Sequence, residues 1–549
     1  MVRASFAGFT TALSALQVSQ KRLDITGQNL ANMHTEGYTR QQLDVVSINS
    51  TSPSSAYISR NTAFTGFGVG ITGVSQLRDP LLDAQYRSQM TKSGYTDAYQ
   101  NSLDSLASIL DETKIDGLRK ALANIRSTLT DMQDPSKALD SAYEVELRND
   151  MEAFTNLLND AAREIKKAEQ TEYERLDGET TNRNGAVQTV NDMLLQIATL
   201  NRQIKGNEVV GQNSNELKDS RNLLLDKLAS YLPIEVTYFR DFSHDGLDAD
   251  GNALDNELYD ISSAGNLLAK KDWPEDVRVD LVYKDENGMT QRLTLVNGSE
   301  GTVAENYGNL SITRPDDDVH QTAITITGSA TGPDGKPQNP ASITITAPAN
   351  DGPELTGGSI QASLDMLGHD GVNTGFTRGY QYYMDQLDLL AKSFVDTING
   401  INTTGPNNGN MILLEGDKAS NVGITKEWSA GLVHITSPAD SKTGNILNML
   451  EAMSSHYDNL NGNSFAGFIS HVSTTLASDS YANLMNVKSN AIMQNGIQDA
   501  RDSVSGVSMD EEAANMMTYM AAYNAASRLM TTLDEALDKL INGTGTVGR

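Results

Sequence analysis

The last amphipathic run of the chain, Ser508 to Ile541, constrains the fold most, because a helix patterned this way needs a partner. Ser508-Met509-Asp510-Glu511 marks its start. The Ser508 hydroxyl suits the free amides, and Glu511 is spaced to reach back to the Ser508 amide, a capping box. Asp510, Glu511 and Glu512 place negative charge at the positive end of the helix dipole. No proline or glycine interrupts the run before Asn542-Gly543, a stop signal. Met509, Ala513, Met516, Met520 and Tyr523 alternate by four and three; after one three-residue step, Ala526, Met530, Leu533, Leu537 and Leu540 resume the pattern. This predicts a narrow coiled-coil seam on a helix roughly 50 Å long.

The opening residues carry a matching pattern. Phe6, Phe9, Leu13, Leu16, Gln20, Leu23, Gly27 and Leu30 step by three and four, with Gln20 and Gly27 as polar or small interruptions. Residues 1–40 hold a net charge of +2 and residues 501–549 a net charge of −3. Opposite signs favour pairing, modestly after screening. The two ends are therefore predicted to pair in a terminal helical stalk, residues 1–37 with 503–549. Two unrelated amphipathic helices, each on its own core, fit the same periodicity. A lone pair leaves much of each seam wet and gains little against the entropy of ordering. The pairing thus predicts termini that are loose in the monomer and ordered against neighbouring subunits, with weak amide protection at Leu16 and Met520 before assembly.

Length and charge set further bounds. A chain of 549 residues exceeds one core and implies two to four domains. The net charge of −29 argues against nucleic acid and anionic membrane as partners, since both need a basic surface. The absence of cysteine excludes disulfides and thiolate metal sites. No run reaches the ~18 consecutive apolar residues of a membrane helix, and residues 1–30 lack the pattern of a cleaved signal peptide. Export, if it occurs, is expected to use another route.

Along the chain, Asn29 to Arg40 ends the first helix. Leu43 and Val45, then Val46 and Ile48, alternate with polar residues, and residues 49–73 are rich in Ser, Thr and Gly, so two short extended segments in a long loop are expected. Helical periodicity runs from Tyr86 to Met132, closed by Pro135, and again from Lys137 to Ile204, which would approach ~100 Å if continuous, with Gly178 and Gly185 as kink sites. A short helix ends at Pro233. From Ile234 to about Pro353 the pattern is β, with strands at 277–283, 293–296, 323–326 and 343–346. Helices return at 358–364, 380–401 and 444–500, around a loop region holding Trp428 and Ile435. The expected fold is mixed but mainly α. It is an elongated multi-domain rod with paired terminal coiled-coil helices, a helical bundle (38–235 with 356–502) and an inserted all-β domain (236–355).

Chemistry finds little support. The seven histidines show no ligand spacing, and no phosphate loop or nucleophile elbow is present, so no catalytic residue and no cofactor is predicted. Asp248-Ala249-Asp250-Gly251 with Glu257 matches part of a calcium loop, but Gly246 occupies the first ligand position and flanking helices are lacking. The tripeptides His244-Asp245-Gly246 and His369-Asp370-Gly371 are ordinary loop material. Met509, Met516, Met517, Met520 and Met530 make an adaptable surface suited to successive partners, or a plain coiled-coil core.

Residues 27–40, with Ala31-Asn32, Thr35 and Gly37-Tyr38-Thr39-Arg40, resemble the signature of the bacterial flagellar rod, hook and hook-associated proteins. Residues 503–541, the stretch around Asp219-Ser220-Arg221, and Gly358 through Ile401 resemble the hook-associated members in particular. The resemblance implies a non-enzymatic axial role at the junction of hook and filament. It also implies copies arranged in a ring, contacts with hook protein and with an adjoining hook-associated protein or filament subunits, and a cytoplasmic export chaperone on the C-terminal helix. The location implied is the extracellular flagellum, reached without a cleaved signal. The contact residues expected are Phe6, Phe9, Leu13, Leu16, Leu23 and Leu30 with Met509, Met516, Met520, Tyr523, Met530, Leu533, Leu537 and Leu540. A hook or distal-rod protein, or a calcium-dependent surface adhesin, are the alternatives.

Overall fold

A computed structural model describes residues 5–48, 68–110, 112–137, 141–178, 185–239, 259–261, 267–269, 276–299, 302–314, 319–331, 339–347, 352–368, 377–402, 411–436 and 443–543. Helix α1 (Ser5–Ala31) leads into a hairpin of β1 (Gln41–Ser47) and β2 (Val69–Gln76). A bulge between Asp44 and Val45 shifts its register. That slip is the change of phase in the Leu43, Val45, Val46, Ile48 alternation.

The first long helix begins earlier than the apolar pattern indicates. In α2 (Pro80–Ile109) the Asp79 carboxylate accepts from the Leu81 amide and proline fills the first helical position. The run expected to reach Met132 breaks after Leu110, and α3 (Glu112–Asp131) follows. The expected 137–204 rod is two helices, α4 (Ser141–Asp177) and α5 (Ala186–Val209). Gly178 sits at φ +81, and a Cβ on Gly185 would lie 2.4 Å from the Leu176 carbonyl oxygen. The chain therefore leaves α4 at a point only glycine accommodates, and neither α4 nor α5 approaches ~100 Å.

The helices and strands form two cores, and the last turns of α4 already reach the second through Tyr173 and Leu176. The first joins α2, α3 and α4 to α8 (Tyr380–Asn402), α10 (Gly444–Ala452) and α11 (Phe465–Ser505). At its centre Phe154 and Phe394 lie 4.8 Å apart between ring centroids, and Phe394 and Phe465 5.5 Å. The Ser464 hydroxyl caps α11 by accepting from the Gly467 amide at 3.2 Å. Trp428, in α9 (Lys426–Ser429), is fully buried against this core.

The second core joins α5, α6 (Asn215–Tyr231) and α7 (Ser359–Gly368) to the strands. Here β6 (Asp276–Lys284) pairs with β3 (Ile234–Phe239), β7 (Thr290–Asn297) and β11 (Glu354–Leu355). A separate antiparallel sheet places β9 (Ala323–Thr327) between β8 (Asn309–Thr313) and β10 (Ser342–Thr346). Leu225, Leu228 and Leu232 belong to the same buried cluster as Val277, Val279 and Leu281. Among the described residues the strands thus lean on helices for their core. The calcium-like run 248–257 and both His-Asp-Gly tripeptides lie outside the described residues.

Helices α2 and α6 cross closely. A Cβ on Gly94 would lie 2.1 Å from the Ser230 carbonyl oxygen. Gly94→Ala is expected to force the helices apart and cost about 1–3 kcal/mol, read as a lowered unfolding midpoint in calorimetry.

Candidate assembly surface at the paired termini

The final helix α12 (Met509–Gly543) packs along α1. The Glu511 amide donates to the Ser508 hydroxyl at 3.4 Å. The capping box is only half formed, however, because the Glu511 carboxylate pairs with Arg40 at 2.8 Å. Three contacts fix the pairing. A Cβ on Gly8 would meet Leu533 at 3.4 Å, the Arg22 guanidinium lies 5.3 Å over the Tyr519 ring, and the Asn29 amide donates to Glu512 at 3.4 Å. All three fall on one antiparallel register, which sets Ala15 opposite Ala526.

The contact lines differ from the predicted seams. On α12 the line is Glu512, Met516, Tyr519, Tyr523, Ala526, Met530, Leu533 and Leu537, alternating four and three without a break. Met516, Tyr523, Met530, Leu533 and Leu537 belong to it as expected, half-buried. Met509, Met520 and Leu540 do not, and are 57, 52 and 59% exposed. On α1 the line is Gly8, Ala12, Ala15, Ser19, Arg22, Thr26 and Asn29, each one position before a residue of the predicted seam. Small side chains there let the two backbones approach closely. The predicted set Phe9, Leu13, Leu16, Leu23 and Leu30 lies beside this line, with Leu13 45% exposed and the other four half-buried. The Phe6 side chain lies outside the described residues.

The hairpin explains the rotation. The Ser14 hydroxyl accepts from the Val69 amide at 3.3 Å, and Val18 and Ile25, on the same flank of α1, are buried. The hairpin takes one side of the pair, so the larger apolar residues are left on the other. In antiparallel helices, positions one residue after each contact line lie on the same side. Phe9, Leu13, Leu16, Leu23 and Leu30 therefore share one face with Ala513, Met517 and Met520. Glu511, one residue before the α12 line, meets the hairpin base as this geometry requires.

The base of the pair is polar and buried. Glu512 accepts from Asn29 and from Arg40, the latter at 2.8 Å. The Asn29 carbonyl oxygen accepts from the Tyr38 hydroxyl at 2.9 Å and the Gln41 amide at 3.0 Å. Burial, then the nearby Asp219, Glu216 and Glu512 charges, push the Tyr38 hydroxyl up to about 12. It stays protonated and donating at neutral pH. Sequence periodicity missed Glu512, Tyr519, Arg22 and Asn29 because charged and polar residues do not read as a seam. The unbroken alternation back from Met516 through Glu512 is the signal that finds them.

Among the described residues no group of three or more His, Asp or Glu side chains is placed to hold a metal ion, and no helix is long and apolar enough to cross a membrane.

Comparison with known proteins finds relatives of both ends and of the middle of the chain. Residues 9–39 match the family of flagella basal body rod proteins, and residues 500–543 match the C-terminal family of flagellar basal body rod FlgEFG proteins. The chain is 29% identical to the flagellar hook-associated protein 1 of Bacillus subtilis over 99% of both chains. It is 23% identical to that of Salmonella typhimurium over 97% of this chain and 98% of the relative. A solved flagellar hook junction protein FlgK from Burkholderia pseudomallei aligns with TM-score 0.37 and 19% identity over 59% of this chain and 44% of that one. Residues 103–412, more than half of the chain, match the helical domain of the flagellar hook-associated protein FlgK, so the chain belongs to the flagellar hook-associated protein FlgK family.

Proposed function

We propose that this protein is a structural axial component of the bacterial flagellum at the hook–filament junction, and that its terminal helix pair is the part that assembles. The observation that carries the reading is the open apolar face of the pair, Phe9, Leu13, Leu16, Leu23 and Leu30 with Met517 and Met520, opposite the hairpin. A face of this kind costs free energy while wet and is covered in a stable assembly. Copies of the chain cover it laterally in a ring, with hook protein on one side and an adjoining hook-associated protein or filament subunits on the other. Before export, a cytoplasmic chaperone holds α12, whose exposed Met509, Met517 and Met520 adapt to a first partner and then to a second. Export carries the protein to the cell exterior. Residues 1–37 with 503–549 form the stalk, with β1 and β2 packed on it; the rest of 38–235 with 356–502 forms the rod, and 236–355 the outward lobe.

The double variant Leu16→Glu with Met520→Glu tests the reading. Both side chains are partly exposed, so the lone chain folds as before. Incorporation into junctions and filament retention are expected to fall about tenfold or more, because carboxylates would be desolvated without partners. Wild-type filament retention would refute the assignment of this face.

A further inference from the structure

Neither hydrophobic core includes a buried residue of α1, the hairpin or α12 among the described residues. The terminal body is joined to the rod by two covalent crossings, residues 77–79 from β2 into α2 and residues 505–508 from α11 into α12. Between them lies a set of polar contacts centred on Asp219 of α6, whose side chain is 9% exposed. One Asp219 oxygen accepts from the Thr39 hydroxyl at 2.6 Å and the Gln76 amide at 2.8 Å. The other accepts from the Thr39 backbone amide at 3.1 Å. All three donors sit at the base of the hairpin.

The neighbours reinforce this centre. Gln76 also donates to the Asn215 carbonyl at 3.1 Å, and the Asn215 amide donates to Val74 at 3.2 Å. Arg78 lies 3.8 Å from Asp219 and makes two 3.1 Å bonds to Asp83 of α2. Arg501 of α11 bridges Asp83 and Asp226 at 3.0 and 2.9 Å. The Arg40 amide donates to the Ser505 carbonyl at 2.9 Å. Burial raises the Asp219 carboxyl above its ordinary value, opposed by the Thr39 hydrogen bonds, the Arg78 charge and the Gln76 bond. Apolar packing yields gradually, whereas a directional set of donors on one carboxylate is either satisfied or lost.

We propose that Asp219 and the hairpin base form a polar latch that fixes the direction of the terminal helix pair against the rod. When the latch is open, α1, the hairpin and α12 swing as one body about residues 77–79 and 505–508. The latch is a property of the single chain, and it stands or falls independently of the assembly reading.

The absence of cysteine makes paired labelling clean. In the full-length monomer, nitroxides at Gln20→Cys and Asn524→Cys report the zipping of the terminal pair. Nitroxides at Asn101→Cys and Asn524→Cys report its direction against the rod. All three positions are exposed. Wild type is expected to give narrow distance distributions for both pairs, in contrast to the loose monomer termini that the sequence alone suggests. Asp219→Asn keeps the shape but replaces one acceptor oxygen by an NH2 donor, so the Thr39 hydroxyl, the Thr39 amide and the Gln76 amide cannot all be accepted. It is expected to widen the Asn101–Asn524 distribution about twofold or more, leaving Gln20–Asn524 and the circular dichroism melt unchanged. Gln76→Leu, on the hairpin, should give the same result and serves if Asp219→Asn fails to fold. An unchanged Asn101–Asn524 distribution in a folded variant overturns the latch. So does equal widening of both pairs, or a wild type already as broad as the variants.

Discussion

Ala526→Trp is expected to exclude the protein from hook–filament junctions while leaving its rod folded. Ala526 is buried midway along the α12 contact line, and the antiparallel register sets Ala15 against it. Two alanines face each other there because the helices approach closely, and an indole has no place to go. Overpacking of this kind costs about 1–3 kcal/mol and often more when backbones must separate. About 1.4 kcal/mol is already a tenfold change in an equilibrium. Incorporation, counted in cells carrying the variant as their only copy, should fall by more than about tenfold. The melting of the two cores should not move, since among the described residues the terminal pair shares no buried apolar residue with either. Ala526→Ser, which adds one oxygen, should incorporate nearly as well as wild type.

Trp428→Ala is expected to give the opposite pattern, a destabilised rod with its termini intact. The indole is fully buried, its N–H donates to Glu144 at 3.0 Å, and the Arg148 guanidinium lies 5.5 Å from the ring centroid. The Thr425 hydroxyl accepts from the Trp428 amide at 3.3 Å and holds the short helix in place. Truncation leaves a cavity and a carboxylate without its indole donor, together about 3–5 kcal/mol. The transition of the first core should fall by roughly 10 °C in calorimetry. Trp428→Phe should lose less, because most of the volume remains and only the donor to Glu144 is removed.

The elements of this fold were legible wherever one periodicity held. The helices around Leu387 to Ile398 and the strands at 277–283, 323–326 and 343–346 follow their patterns to within a few residues. The 137–204 stripe misled because apolar spacing continues across Gly178 and Gly185, where the helix stops, and the chain has already passed from one core to another in the last turns of α4. Periodicity records what is buried, not against what. The same limit explains the termini. A seam was expected where the largest apolar residues align, Leu13 through Leu30, yet the pair closes on Ala12, Ala15 and Ser19. Close helix packing selects small residues, and the hairpin claims the other flank of α1. The large residues lie beside the line on which the two helices meet, not on it. Asp219 was beyond reach, since its three donors come from positions far away in the chain.

The central claim is that the face bearing Leu16 and Met520 waits for other subunits. Electron cryo-microscopy of hook–filament junctions built with this protein tests it most directly. We expect α1 and α12 antiparallel, with Ala15 opposite Ala526 and both Leu16 and Met520 buried against a neighbouring subunit. Terminal helices separated from one another, or this face turned to open solvent in the assembled junction, would contradict it.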